Sequence, residues 1–232
     1  MRAATRPTIL DPVEDMADQQ HEAIREAYSA RALEYADLFG SMEATHPSDR
    51  ALVGSWAATL TGPVLDVGCG PGHWSGFLAG NGVEVSGIDP VRRFVDLARL
   101  RHPHLPFEVG RSDALDVPTG SLGGVLSWYS LIHHHPRHIR VSLAEFARAL
   151  RPGGSVAVGF FEGVGGQFDH AVTTAYRWPV AELCRELVAV GFEVLETHTR
   201  TAGTHRPHGA IVARRTRDRC VPGLIARRRI EE

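Results

Sequence analysis

The sequence predicts an α/β protein built on a doubly wound, mostly parallel seven-stranded sheet. Short apolar runs alternate with amphipathic helical stretches from Val64 to Arg214, which is how parallel strands and their crossover helices read. A glycine-rich turn, Gly68-Cys69-Gly70-Pro71-Gly72, follows the first apolar run directly. Two further helical stretches stand before that run and predict an N-terminal helical cap.

Residues 1–16, with Pro7 and Pro12 and few large apolar groups, read as a flexible N-terminus. The cap is expected over 17–62. Its first helix runs to Phe39 with Ile24, Tyr28, Tyr35 and Leu38 at helical spacing, and Gly40 stops it. Ser48 is expected to cap a second helix that carries Leu52, Val53, Trp56, Ala57 and Leu60 and closes at Gly62-Pro63. The main domain, 63–214, opens with the strand Val64–Val67. A helix to Gly82 and a strand over Val83–Asp89 follow. Asp89 then suits a helix cap and Pro90 a first turn, before Val91, Phe94, Val95 and Ala98. Strands are expected at Phe107–Val109, Gly124–Trp128, Ser155–Phe161, Phe192–Thr199 and His208–Arg214, with helices from Arg137 and over Val180–Val190. Arg151-Pro152-Gly153-Gly154 reads as a turn. The arginine-rich tail, 215–232, reads as a flexible solvated end, with an RNA-binding arm as the alternative.

A chain of 232 residues with 43% apolar and 22% charged side chains has the composition of one globular domain with a sizeable core. A net charge of −2 argues against a general nucleic-acid binder. The three cysteines, Cys69, Cys184 and Cys220, are far apart and odd in number. They suggest neither a disulfide framework nor a zinc site, and fit a reducing cytoplasm. The N-terminus has no apolar run long enough for a signal peptide or a membrane span. A cytoplasmic monomer or homodimer without a membrane partner is the expectation.

The glycine turn fits a nucleotide-like ligand, because glycines permit a sharp bend and close backbone approach. A dinucleotide fingerprint would have its third glycine where His73 stands. A phosphate-cradling NTPase loop needs a lysine, and the chain has none. Asp66-x-Gly68-x-Gly70-x-Gly72 instead resembles the first motif of class I S-adenosylmethionine-dependent methyltransferases. Asp89, at the end of the second strand, can accept hydrogen bonds from both hydroxyls of an unphosphorylated ribose. Ser112-Asp113-Ala114 follows the third strand, and the fourth ends in Ser127-Trp128-Tyr129-Ser130. Leu150-Arg151-Pro152-Gly153-Gly154 is similar to a Leu-x-Pro-Gly-Gly segment of that family, so the resemblance covers residues 66–161 in order.

The resemblance implies a Rossmann-like sheet with an antiparallel last strand, S-adenosylmethionine as cofactor, and a small-molecule methyl acceptor at oxygen, nitrogen or carbon. It implies cofactor contacts from Tyr28, Asp66, Gly68, Gly70, Gly72, Asp89, Pro90, Ser112, Asp113, Ala114 and Ser127, with Asp113 on the adenine amino group. The Tyr28-x(6)-Tyr35 pair would cover the cofactor, and the aromatic segment Glu162–Pro179 would help roof the pocket. Three consecutive histidines, His133 to His135, lack a nearby Cys-x-x-Cys or His-x-Glu companion, so no metal is expected. A general base at the pocket mouth is the better reading, with His133 first, then His134, and Tyr129 as a hydrogen-bonding alternative. The rival readings are an RNA or protein methyltransferase and a non-catalytic cofactor-binding module.

Overall fold

The computed structural model describes residues 22–201 and 206–216. The expected N-terminal segment 1–16 lies outside the described residues, as does the expected tail 215–232 except for residues 215 and 216, of which Arg215 is strand rather than a loose end. The expected first helix is two. Residues 22–30 are helical (α1), the turn at Arg31 breaks the run, and α2 follows over Ala32–Phe39. The next helix, α3 (Pro47–Ala57), is capped by His46 rather than Ser48. The His46 ring accepts from the Ser48 amide, and Pro47 takes the first helical position.

The strands and helices then alternate: β1 (Val64–Val67), α4 (His73–Gly80), β2 (Val85–Asp89), α5 (Arg92–Arg101), β3 (Phe107–Val109) and β4 (Leu122–Trp128). After these come α6 (Ile139–Ala149), β5 (Leu150–Glu162), β6 (Gly166–Asp169), β7 (Thr174–Trp178), α7 (Val180–Ala189), β8 (Phe192–Arg200) and β9 (His208–Arg215). The strands β3-β2-β1-β4-β5 pair in parallel in that order. β9 then runs antiparallel to both β5 and β8, as expected of the last strand.

The described sheet has nine strands, not seven. Both additions, β6 and β7, lie in the segment expected only to roof the pocket. At Phe161, β5 pairs with Arg177 of β7 on one edge and with His208 of β9 on the other. Farther back, at Val158, the edge opposite β9 is occupied by Ser127 of β4. β7 therefore takes over the edge that β4 leaves at Trp128, which sets the β6–β7 hairpin over the end of β4. Arg151-Pro152-Gly153-Gly154 lies within β5 and makes a bulge, with the register shifting between Leu122 and Gly124.

Successive side chains on a strand point to opposite faces, and the two cores follow that rule. Leu65, Val125, Val156 and Val158 pack with Leu143, Phe146, Leu183 and Leu187 of α6 and α7. Val64, Leu126 and Ala157 pack on the other face with Val53 and Trp56 of α3 and Trp74 and Leu78 of α4. The Trp56 indole also donates to Ser155 Oγ at 3.0 Å. Thus α3 belongs to the sheet's cover, whereas α1 and α2 stand over the strand ends. Each fully buried large apolar side chain of this kind stabilises by about 1.5–3 kcal/mol.

Candidate cofactor and acceptor site

An open cleft of about 890 Å³, counted to its mouth, lies where β1, β2 and β4 end. Crevices beyond the carboxyl ends of parallel strands are where such sheets take ligands. Gly68 and Gly70 form its floor, with φ of 75° and 54°. A Cβ on Gly68 would lie 2.2 Å from Ser130 Cβ, so the loop passes tight against the end of β4. A Cβ on Gly70 would meet nothing within 4 Å and would project into open space. The floor is thus left bare on the cavity side, as close approach of a ligand requires.

Asp89 borders this floor and is buried. Its Oδ2 accepts from the Gly70 amide at 2.9 Å and its Oδ1 from the Val91 amide at 2.8 Å. It therefore holds the glycine loop and the turn at Val91 while still lining the cleft. It is not the expected helix cap, because α5 starts at Arg92 with Val91 at the N-cap position and no side-chain cap, which also leaves Pro90 before the first turn. Burial pushes its carboxyl up to about 6, against the pull of the two amide bonds. Pro90, Ser112 and Asp113 line the cleft beside it. Asp113 is gripped by Arg111, whose Nε and Nη2 donate at 2.9 and 2.8 Å. Each carboxylate oxygen keeps further acceptor capacity.

Four expected contact residues do not line the cleft. Asp66 faces α4, as Val64 does two residues earlier, and accepts from Ser75 Oγ at 2.6 Å. Burial raises its carboxyl to about 7. Gly72 begins α4 with φ 85° and packs against Ala98 and Phe107. Ser127 is buried with its hydroxyl 2.7 Å from Ser130 Oγ. Ala114 turns back toward Arg111 in an isolated bridge. Asp66, Gly72 and Ser127 are buried behind the wall, whereas Ala114 is exposed.

The other side of the cleft is aromatic. Ile24 and Tyr28 of α1 and Tyr35 of α2 line it with Phe94 of α5. Tyr28 meets Tyr35 and Phe94 at ring separations of 5.6 and 5.9 Å. The Tyr28 hydroxyl reaches across to His133 Nε2 at 2.7 Å, and His133 Nδ1 lies 2.7 Å from the Thr174 carbonyl of β7. A carbonyl only accepts, so Nδ1 carries the proton, and Nε2 is the acceptor for the Tyr28 O–H. Burial holds His133 below the usual imidazole range, and burial raises the Tyr28 phenol. Both are neutral near pH 7.

The consecutive histidines part company after His133. His134 Nε2 lies 3.1 Å from Ser112 Oγ at the cleft wall, and His135 accepts from the Arg137 amide outside it. Among the described residues no group of three or more His, Cys, Asp and Glu side chains is placed to hold a metal ion. Tyr129 lines the cleft with φ 57°, a left-handed conformation costly for an aromatic residue, and its hydroxyl bonds to His208 Nδ1. That strained turn exposes Trp128 and Ser130, which also line the cleft, together with Val67, Val91, Gly110 and Arg111. Sequence reasoning missed these. The run of polar and aromatic residues after an apolar strand was the available signal.

The family model described as a methyltransferase domain matches residues 64–154, which include the glycine floor, Asp89 and the end of β4. Over residues 64–154, then, the chain is similar to methyltransferase domains. Among curated relatives, malonyl-[acyl-carrier protein] O-methyltransferase of Salmonella typhimurium is 31% identical over 146 residues, 61% of this chain and 55% of that protein. An S-adenosyl-L-methionine-dependent Diels-Alderase of Talaromyces variabilis is 32% identical over 112 residues, 44% of this chain and 38% of that protein. The chain thus spans about half or less of the length of these relatives. The fold is shared with Burkholderia thailandensis 1,6-didemethyltoxoflavin-N1-methyltransferase, whose structure holds S-adenosylhomocysteine. Its TM-score is 0.72 at 21% identity, over 93% of this chain and 95% of that one.

Proposed function

We propose that this protein is a methyltransferase that uses S-adenosylmethionine to methylate a small molecule, with the Tyr28–His133 pair handling the acceptor's proton. The observation that carries the reading is one cleft that joins Gly68, Gly70 and Asp89 on its floor to Tyr28 and His133 on its far side. The bare Gly70 surface and the buried Asp89 carboxylate suit the methionine and ribose parts of the cofactor, and Ser112 and Asp113 suit its adenine. Bound S-adenosylmethionine supplies an already activated sulfonium methyl, so alignment carries much of the catalysis, up to about 7–11 kcal/mol.

The remaining task is proton removal from an oxygen or nitrogen acceptor. Thr174 fixes the His133 tautomer, which leaves Nε2 as the basic atom. The Tyr28 hydroxyl already donates to it. An acceptor hydrogen-bonded to the Tyr28 oxygen passes its proton there while Tyr28 passes its own to Nε2, so His133 ends protonated and Tyr28 unchanged. His133 itself is buried, which keeps bulk water off its ring.

A second reading has a specific observation behind it: the Talaromyces variabilis relative is named as a Diels-Alderase, not a methyltransferase. Incubation of the protein with a metabolite extract and methyl-labelled S-adenosylmethionine separates the two. Label in a small molecule, matched by S-adenosylhomocysteine, is the expected result. A new product without label favours the pericyclic reading, and label confined to RNA or protein overturns the acceptor class.

A further inference from the structure

The β6–β7 hairpin carries a cluster that the transfer described above leaves unused. The Arg177 guanidinium lies 4.4 Å from the centroid of the Phe168 ring, and that of Arg206 lies 4.7 Å from the same ring. Register accounts for the first contact. Arg177 pairs with Phe161 of β5 and Gly166 of β6, Ala175 pairs with Phe168, and positions two apart share a face. Phe161, Arg177 and Phe168 therefore stand on one side of the hairpin, with Gly166 and Ala175 leaving them room.

Among the described residues neither guanidinium is ion-paired. Arg206 donates to the Asp169 carbonyl at 3.0 Å, and Arg177 makes no side-chain hydrogen bond. Two cations gathered on one ring repel each other, and a cation–π contact at an exposed site returns only about 0.5–1 kcal/mol. Planar forks of N–H donors are suited to carboxylate and phosphate oxygens. An anion would complete the arrangement.

The cluster is continuous with the cleft. Phe168 meets Phe161 at 5.3 Å, and Phe161 meets Tyr129 at 5.2 Å. By a second route Phe168 meets His170 at 6.3 Å, and His170 meets His133 at 5.4 Å. Tyr129 and His133 both line the cleft. His170 Nδ1 is buried without a hydrogen-bond partner among the described residues, so this path also holds an unused polar atom. Burial first, then the neighbouring His133 and the charges of Arg206 and Arg31, push His170 down to about 4 and keep its ring neutral.

We propose that Arg177 and Arg206 hold an anionic group, a carboxylate or a phosphate, of the methyl acceptor, whose apolar body lies along Phe168, Phe161 and Tyr129 toward the cleft. This rests on the methyltransferase reading and adds the acceptor's class: an acid whose charge is set apart from the atom that is methylated. The test is calorimetric titration of the protein, with and without saturating S-adenosylhomocysteine, with benzoate, phenyl phosphate and benzyl alcohol. At least one anion should bind more tightly than the neutral alcohol, and the stronger of the two tells carboxylate from phosphate. In Arg177→Gln and Arg206→Gln its affinity should fall at least tenfold, with benzyl alcohol and S-adenosylhomocysteine binding unchanged. Equal anion affinity in wild type and both variants, or no preference for either anion over the alcohol, overturns the proposal. Failure of S-adenosylhomocysteine to bind the wild type would count against the methyltransferase reading itself, while the titrations without it still judge the anion site.

Discussion

Asp89 binds the Gly70 amide with one carboxylate oxygen and the Val91 amide with the other, and it still borders the cleft. Holding the loop and bordering the cleft are one arrangement here. Asp89→Asn is expected to weaken S-adenosylhomocysteine binding by about 1.5–3 kcal/mol, the scale of a lost charge-assisted contact, in calorimetric titration. Because the carboxyl is raised to about 6, its charged form is present above that pH and lost below it. Affinity should therefore drop between pH 7 and 5 in the wild type and stay nearly flat in the variant. Asp66, raised to about 7 by burial, acts on stability instead. It binds its proton more tightly folded than unfolded, so its contribution is complete below about pH 4 and lost as pH rises through about 7. His73, held near 4 by burial, slopes the other way, so only a difference isolates the carboxyl. Asp66→Asn should gain on the wild type in urea stability between pH 4 and 7, by on the order of 2–4 kcal/mol. From sequence, the end of the second strand marks Asp89 plainly. The diversion of Asp66 to Ser75 depends on which face of β1 meets α4, and no spacing within the motif shows that.

At the scale of elements, the glycine loop and the β6–β7 hairpin divide the work. Gly68 has no room for a Cβ beside Ser130, whereas Gly70 has room but faces the cleft. Gly68→Ala should destabilise the fold by roughly 2–4 kcal/mol through overlap and left-handed strain. Gly70→Ala should lose only about 1–2 kcal/mol of stability, yet bind S-adenosylhomocysteine much more weakly. Thermal melts paired with titrations distinguish the two. The hairpin reaches the site through Thr174, which orients His133, and through the Tyr176 amide, which donates to the Ile132 carbonyl at 2.8 Å. α1 meets it there through Tyr28. His133→Ala should slow single-turnover methylation by roughly 10²–10⁴-fold, the usual range for a lost base. Tyr28→Phe should slow it as well, with the double variant little worse than His133→Ala, because the pair moves one proton. Retention of the wild-type rate in Tyr28→Phe would leave His133 acting directly.

For the whole molecule, the order of strands and helices from Val64 to Arg215 was legible because buried parallel strands read as continuous apolar runs and their helices keep a 3.6-residue period. Helix ends were less legible: His46 rather than Ser48 caps α3. The hairpin was hidden for a different reason. Gly166–Asp169 is mostly exposed and Thr174–Trp178 is short, so neither shows a half-buried alternation; they are strands because β5 outruns β4 and leaves an open edge. Of the cleft, the floor and the roof tyrosine were readable as motif and spacing. The wall around Trp128 and Ser130 was not, since it depends on the left-handed turn at Tyr129. Among the described residues no helix is long and apolar enough to cross a membrane. Whether the cleft takes S-adenosylmethionine is decided by calorimetric titration of the purified protein with S-adenosylmethionine, S-adenosylhomocysteine and NAD. Saturable binding of the first two is expected, weakened in Gly70→Ala and Asp89→Asn, with none of NAD; binding of NAD alone would make the cleft a dinucleotide site instead.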